Sequence, residues 1–270
     1  MVPTRISEAF EKCRTEHRSA FIPFIAAGDP NLQTTAKALQ ALDQAGSDVI
    51  ELGLPFSDPI ADGPIIQASY QRALEAGISL ERTFELLQSF KLRAPVLLFT
   101  YLNPVLQYGL ARLAEEATQM GVAGLLISDL TPEEAPAYVP PLRRNRIDTI
   151  FLAAPTTTPA RVEKIVSCCT GFVYFIARTG VTGRQTTLDA AAANQIGLIR
   201  RQSQLPIAVG FGMRTPEDVR KASRIGDGVA VGSALVERLN SMAHQPGWEK
   251  EFQQYVAEFV KATRNGGIDN

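Results

Sequence analysis

Three features of the sequence predict an α/β chain folded as a (β/α)8 TIM barrel. Eight short runs rich in Val, Ile and Phe recur along the 270 residues. Their starts fall 22–34 residues apart, with one longer gap between the second and third. Helix-period patterns fill the intervals, and several of these end in glycine, the residue that caps helix C-termini. Most of the runs are almost continuously apolar, as parallel strands covered on both faces should be. Eight such units in about 250 residues match this architecture in size and order. An open doubly wound sheet usually has fewer strands and a G-x-G-x-x-G turn after the first. Here the first strand is followed by "GDPN".

The N-terminal "MVPTRISEAFEKCRTEHRSA" carries four basic residues and three glutamates and no apolar stretch. It reads as a capped amphipathic helix, not a signal peptide. The strands follow as "FIPFIAAG" (21–28), "DVIELG" (48–53), "PVLLFTY" (95–101) and "GLLISDL" (124–130). The second half continues with "DTIFLAA" (148–154), "FVYFIA" (172–177), "PIAVGFG" (206–212) and "GVAVGSA" (228–234). Helical patterns include "LQTTAKALQALDQAG" (32–46), "LARLAEEATQMG" (110–121) and "PEDVRKASRIG" (216–226). In the long gap an extra helix, "SLERTFELLQSF" (79–90), fits after the second strand. No linker or low-complexity tract divides the chain, so a single domain over 1–270 is expected.

Composition excludes several classes. Twenty-seven basic and 28 acidic residues leave a net charge of −1, without the basic excess of a nucleic-acid or membrane-surface protein. Three cysteines, Cys13, Cys168 and Cys169, are odd in number and lack metal-ligand spacing, which fits a reducing cytoplasm. No run approaches the roughly 20 apolar residues of a membrane span.

In such barrels the chemistry sits at the C-terminal ends of the strands. Alternation along the second strand puts Val49, Glu51 and Gly53 on one face and Ile50 and Leu52 on the other. If the latter pair faces the helices, Glu51 points into the barrel, where an unpaired carboxyl should have a raised pKa. A structural acid held by backbone N–H groups or an arginine is the competing reading. The following loop holds Asp58 and Asp62 among Pro55, Pro59 and Pro64. Loop aspartates commonly cap helices or close turns, but Asp62 stands where it could overhang the barrel mouth. Later, "RTGVTG" (178–183), "GFGM" (210–213) and "VGSA" (231–234) end the last three strands. Such glycine loops can bring backbone N–H groups and the Ser233 hydroxyl to a phosphate, although each alone also serves as an ordinary tight turn. None of the seven lysines lies at the C-terminal end of a predicted strand, which argues against a Schiff-base aldolase. His17 and His244 lie outside the strands, so histidine catalysis and a histidine-ligated metal are not expected. Carboxylates, with help from Tyr101 or Tyr174, are left to carry the acid–base work.

"ELGLPFSDPIADGP" (51–64) closely resembles the signature of the tryptophan synthase α-subunit family. "FIPFIAAGDP", "VLLFTYLNPV", "ISDLTPEE", "RTGVTG", "VGFGMRTPEDV" and "VGSALV" follow in family order, so the resemblance spans essentially the whole chain. It implies a barrel that cleaves indole-3-glycerol phosphate to indole and glyceraldehyde 3-phosphate by a retro-aldol reaction. No cofactor is implied in this chain. Indole would pass to a partner β subunit carrying PLP, in an α2β2 complex.

By the same resemblance, Glu51 handles the C3 proton of indole and the glycerol hydroxyl proton, and Asp62 bonds the indole N–H. Thr182 positions that aspartate, and Gly183, Gly212, Gly232 and Ser233 hold the phosphate. Phe24, Tyr101, Asp129 and Tyr174 match pocket positions. Leu54, Ile60 and Arg184 depart from the family pattern, the last beside the "GVTG" loop. Competing expectations are another phosphate-binding barrel lyase or isomerase, a free-standing indole-releasing lyase, and a silent barrel that activates a partner. A cytoplasmic location is expected, or a chloroplast one if a transit peptide has been removed.

Overall fold

A computed structural model of the chain describes residues 3–177, 190–210 and 212–264. The chain opens with α1 (Arg5–Thr15), begun by a reciprocal cap. The Thr4 side chain accepts from the Ser7 N–H, and the Ser7 hydroxyl accepts from the Thr4 N–H. Strand β1 (Ala20–Ala26) leads to α2 (Leu32–Ala45), capped by Asn31. Strand β2 (Ile50–Gly53) is followed by two helices, α3 (Pro64–Glu75) and the expected extra one, α4 (Leu80–Gln88). Strand β3 (Val96–Thr100) also precedes two helices, α5 (Leu102–Tyr108) and α6 (Leu110–Gln119). Next come β4 (Val122–Ile127), α7 (Ala135–Arg144), β5 (Asp148–Ala153), α8 (Pro159–Cys168) and β6 (Val173–Ile176). The chain closes with α9 (Ala190–Gln202), β7 (Ile207–Gly210), α10 (Pro216–Ser223), β8 (Gly228–Val231), α11 (Ser233–Met242) and α12 (Trp248–Arg264).

The eight strands are parallel and close in sequence order, β1 pairing with both β2 and β8. This is the (β/α)8 barrel that the alternation predicts. Several strands stop earlier than their apolar runs. The run at 124–130 continues past the ladder, but the chain turns out of the sheet after Ile127, where Leu130 N–H donates back to Ile127. Apolar character reports burial, and burial outlasts pairing at the barrel rim.

Two apolar layers follow from the strand period of two. Ile25, Ile50, Leu52, Leu98, Val173 and Val209 face outward into the layer under the helices. Ile22, Val49, Leu97, Leu126, Ile150 and Ala208 face inward. The lower end of the interior is closed by α1, whose Ile6, Phe10 and Cys13 join this inner cluster. The plug fits because Gly124 on β4 has no side chain: a Cβ there would stand 2.7 Å from Ile6 Cδ1. With the N-terminal end filled, Glu51 and the residues above it face the C-terminal end of the barrel.

Candidate active site

Glu51 lies at the centre of β2, opposite Phe24 of β1 and Leu97 of β3. Ile50 and Leu52 occupy the outer layer, so the alternation turns the Glu51 side chain inward. It is 1% exposed, and its Oε1 has no hydrogen-bond partner. Burial alone pushes its pKa up to about 8, because a low-dielectric site disfavours the anion. At neutral pH this is a carboxylic acid with a proton to give. No arginine or backbone N–H holds it, so the structural-acid reading has no support among the described residues.

Asp62 reaches the same interior from the loop between β2 and α3. That loop is tightly folded: Ile60 N–H donates to Asp58 O at 2.9 Å and Asp62 N–H to Pro59 O at 3.1 Å. Pro64 starts α3, and Gln67 on its first turn donates to the Asp62 carbonyl at 2.8 Å. Tyr101, just beyond β3, clamps the loop from the other side. Its hydroxyl accepts the Ala61 N–H at 3.1 Å and donates to Asp62 Oδ2 at 2.6 Å. Burial pushes Asp62 up to about 6, with the Tyr101 hydrogen bond pulling against it. Asp62 is therefore ionised above about pH 6, the opposite state from Glu51. Asp58 is exposed and stays outside the pocket.

Aromatic rings complete the walls. Phe24 meets Phe99 edge to face at 5.7 Å, and Phe56 of the loop lies 5.1 Å from Tyr101. Tyr174 on β6 fills the space over Gly210, where a side chain would collide with its phenol. Its pKa is raised well above the ordinary range, by burial first and then by the charges of Glu51 and Asp62. Tyr70 of α3, which the sequence reading did not single out, is fully buried beside Phe24 and Tyr101. Its position on the apolar face of α3, with Ala73 one turn on, marks it as core; its hydroxyl is the feature that such a pattern hides.

Phe24, Glu51, Asp62, Tyr101 and Tyr174 are thus neighbours at this end of the barrel, linked by strand pairing, packing, a hydrogen bond and charge. Gly232 and Ser233 stand at its edge. Gly232 is the N-cap of α11 and Ser233 its first residue, and no side chain caps this terminus. A Cβ on Gly232 would stand 3.6 Å from Phe24 and Ile66, which places the start of α11 beside the aromatic wall. A helix N-terminus in this position suits an anion. Gly212, with φ 82, is exposed in the loop after β7. Asp129 is also exposed; its Oδ1 accepts the Leu102 N–H at 2.7 Å and so caps α5 from the end of β4. Thr182, Gly183 and Arg184 lie outside the described residues.

Comparison with known proteins identifies the family and bears out the barrel fold. The family model for "Tryptophan synthase alpha chain" matches residues 10–264. The tryptophan synthase alpha chain of Solibacter usitatus is 43% identical over 260 residues, covering 96% of this chain and 97% of that one. That of Thioalkalivibrio sulfidiphilus is 42% identical, covering 96% and 99%. Among solved structures, tryptophan synthase from M. tuberculosis in an aminoacrylate-bound form superposes with a TM-score of 0.86 at 31% identity, covering 97% of this chain and 100% of that one. The alpha chain from Legionella pneumophila subsp. pneumophila gives 0.88 at 31% identity, covering 98% and 99%. A barrel with an unpaired acid on β2, a second acid clamped above it and this breadth of likeness belongs to the tryptophan synthase alpha chain family.

Proposed function

We propose that this chain cleaves indole-3-glycerol phosphate to indole and glyceraldehyde 3-phosphate, and that Glu51 and Asp62 divide the work. The observation that carries the division is their different surroundings: Glu51 is 1% exposed with Oε1 unpartnered, whereas Asp62 Oδ2 accepts the Tyr101 hydroxyl at 2.6 Å. Between about pH 6 and pH 8, Glu51 keeps its proton and Asp62 has lost its own.

The steps follow from that state. Glu51 gives its proton to indole C3, which turns the ring into an iminium-like electron sink. Asp62 accepts a hydrogen bond from the indole N–H and stabilises the positive charge on the ring. Glu51, now a carboxylate, takes the proton of the hydroxyl on the carbon attached to C3. The O–H electrons form the aldehyde carbonyl, and the C–C electrons return to the ring as indole. One proton enters and one leaves, so Glu51 ends as it began and no lysine or metal is needed. Two acids held at different pKa values by their surroundings is a recurrent solution to such proton traffic.

The substrate phosphate takes the N–H groups and hydroxyl at the start of α11, with Gly212 and Gly183 contributing from neighbouring loops. Phe24, Tyr101 and Tyr174 form the pocket around the indole and glycerol group, and Asp129 marks its rim. Thr182 acts on Asp62. The indole then passes to a tryptophan synthase β subunit, which holds the PLP, within the cytoplasm. No described helix is long and apolar enough to cross a membrane.

The test is indole release from indole-3-glycerol phosphate by wild type and Glu51→Gln, each with and without a β subunit. Slow release that rises with the β subunit and is lost in Glu51→Gln is the expected result. Fast release with no partner effect would mean a free-standing lyase. No release by wild type in either condition would overturn the lyase reading.

A further inference from the structure

Among the described residues, four buried side-chain polar atoms have no partner: Glu51 Oε1, Tyr70 Oη, Ser128 Oγ and Arg238 Nε. Arg238 belongs to an ion pair with Glu251 on the outer helices. The other three gather at the C-terminal end of the barrel, and the steps above use only Glu51. Tyr70 is the stronger of the remaining two, because it is fully buried.

The Tyr70 ring sits with Phe24, Tyr101 and Val236. Its hydroxyl stands over Gly53, where a Cβ would come within 2.6 Å of Oη. Gly53 is the next inward position after Glu51 on β2, one layer nearer the mouth. The phenol oxygen and the edge of the Phe24 ring, at 2.4 Å from the same point, therefore share the space a side chain at position 53 would fill, one inward layer from Glu51.

A phenylalanine would fill the same hydrophobic space without an unpaired oxygen, and an unpaired buried hydroxyl is destabilising. A donor and an acid on consecutive inward layers, both unpartnered, suit a guest hydroxyl, which accepts from one and donates to the other. The phenol remains a donor throughout: burial first, then the charges of Asp62, Tyr101 and Glu51, hold its proton on.

We propose that Tyr70 is a substrate-binding residue whose hydroxyl donates to the same substrate oxygen from which Glu51 removes the proton. This rests on the lyase reading above. The oxygen gains negative character as its proton leaves and then becomes the aldehyde carbonyl. The Tyr70 hydrogen bond is retained through that change and Tyr70 keeps its own proton.

The experiment uses Tyr70→Phe in the full chain, assayed with the β subunit present. Binding is measured separately in a Glu51→Gln background, where the substrate is not turned over. The two ligands are indole-3-glycerol phosphate and the analogue whose three-carbon phosphate chain lacks both hydroxyls. The expected result is a variant of equal or greater stability whose kcat falls about 10-fold or more. It should bind the glycerol ligand correspondingly more weakly and the hydroxyl-free analogue as before. Unchanged kcat and affinities, or equal weakening of both ligands, would make Tyr70 a packing residue and overturn the proposal alone. A wild-type chain that neither binds nor cleaves indole-3-glycerol phosphate would overturn the lyase reading and this proposal together.

Discussion

Asp48, two residues before β2, and Glu51, within it, lie three residues apart, and both are buried, at 8% and 1% exposure. Asp48, at the closed lower end, accepts two hydrogen bonds from the Arg18 guanidinium at 2.7 and 2.8 Å and a third from the Phe21 N–H at 2.9 Å. Glu51, at the open end, leaves Oε1 unpaired. The contrast extends around the barrel. At the lower end Asp148 accepts from the Thr4 hydroxyl at 2.5 Å, and Ser19 donates to the Gly226 carbonyl at 2.8 Å. At the upper end, among the described residues, Tyr70 Oη joins Glu51 Oε1 in having no partner. Buried polar groups that are matched hold a fold together, and those left unmatched destabilise it unless a ligand completes them. The lower end is organised for stability and the upper end for a guest.

Substituting each acid should separate the two roles most widely. Glu51→Gln is expected to slow indole release by ~10³-fold or more, since both proton transfers lose their carrier. Asp48→Ala is expected to lower unfolding free energy by about 3–5 kcal/mol, because Arg18 loses its bidentate partner inside the protein. Indole release per folded molecule should stay near wild type. Urea unfolding alongside the indole assay measures both; a stability loss in Glu51→Gln as large as that in Asp48→Ala would erase the comparison.

The pH dependence sharpens it. Glu51 and Asp62 both have folded pKa values above their ordinary ones, about 8 and about 6. The folded state therefore holds protons that the unfolded chain releases. Their contribution to stability is fully present below the unfolded pKa values and declines as pH rises through the folded ones. Wild-type stability should accordingly drop between about pH 4.5 and pH 8, and Glu51→Gln should flatten the upper part of that slope. The same pair predicts a bell for kcat/KM with limbs near 6 and 8, assigned to the pair as it titrates in the free protein.

A smaller effect is expected at Tyr101. Its hydroxyl opposes the upward push of burial on Asp62. Tyr101→Phe should therefore move the acid limb to higher pH and reduce the rate more at pH 6 than at pH 8. An unmoved limb would mean that Asp62 is not the group titrating there. The smallest effect belongs to Asp58, the exposed acid of the same loop. Asp58→Ala should change stability by no more than about 0.5 kcal/mol and leave indole release by the chain alone unchanged.

The barrel was legible because each strand is an apolar run bounded by turns, and the period-two face of β2 was legible from Ile50 and Leu52 flanking Glu51. What the sequence could not convey were events at the rim. Asp129 reads as part of a strand run, but the chain has left the sheet by then and the carboxylate caps α5. The split after β3 into α5 and α6 at Gly109 and the long α12 against α2 were likewise not anticipated. Their apolar faces signal burial without saying against what. Tyr70 shows the limit most clearly. A tyrosine on the buried face of a helix looks like packing, and only the position of its oxygen over Gly53 separates a wall from a contact.

The most direct test of the central claim is the Glu51 carboxyl titration itself. It can be read by carboxyl-carbon NMR of labelled protein, with Glu51→Gln assigning the resonance. A midpoint near 8, above that of Asp62 near 6, is expected. A midpoint in the ordinary range near 4.5 would mean that Glu51 is solvated or paired in solution, and the division of labour with Asp62 would fall.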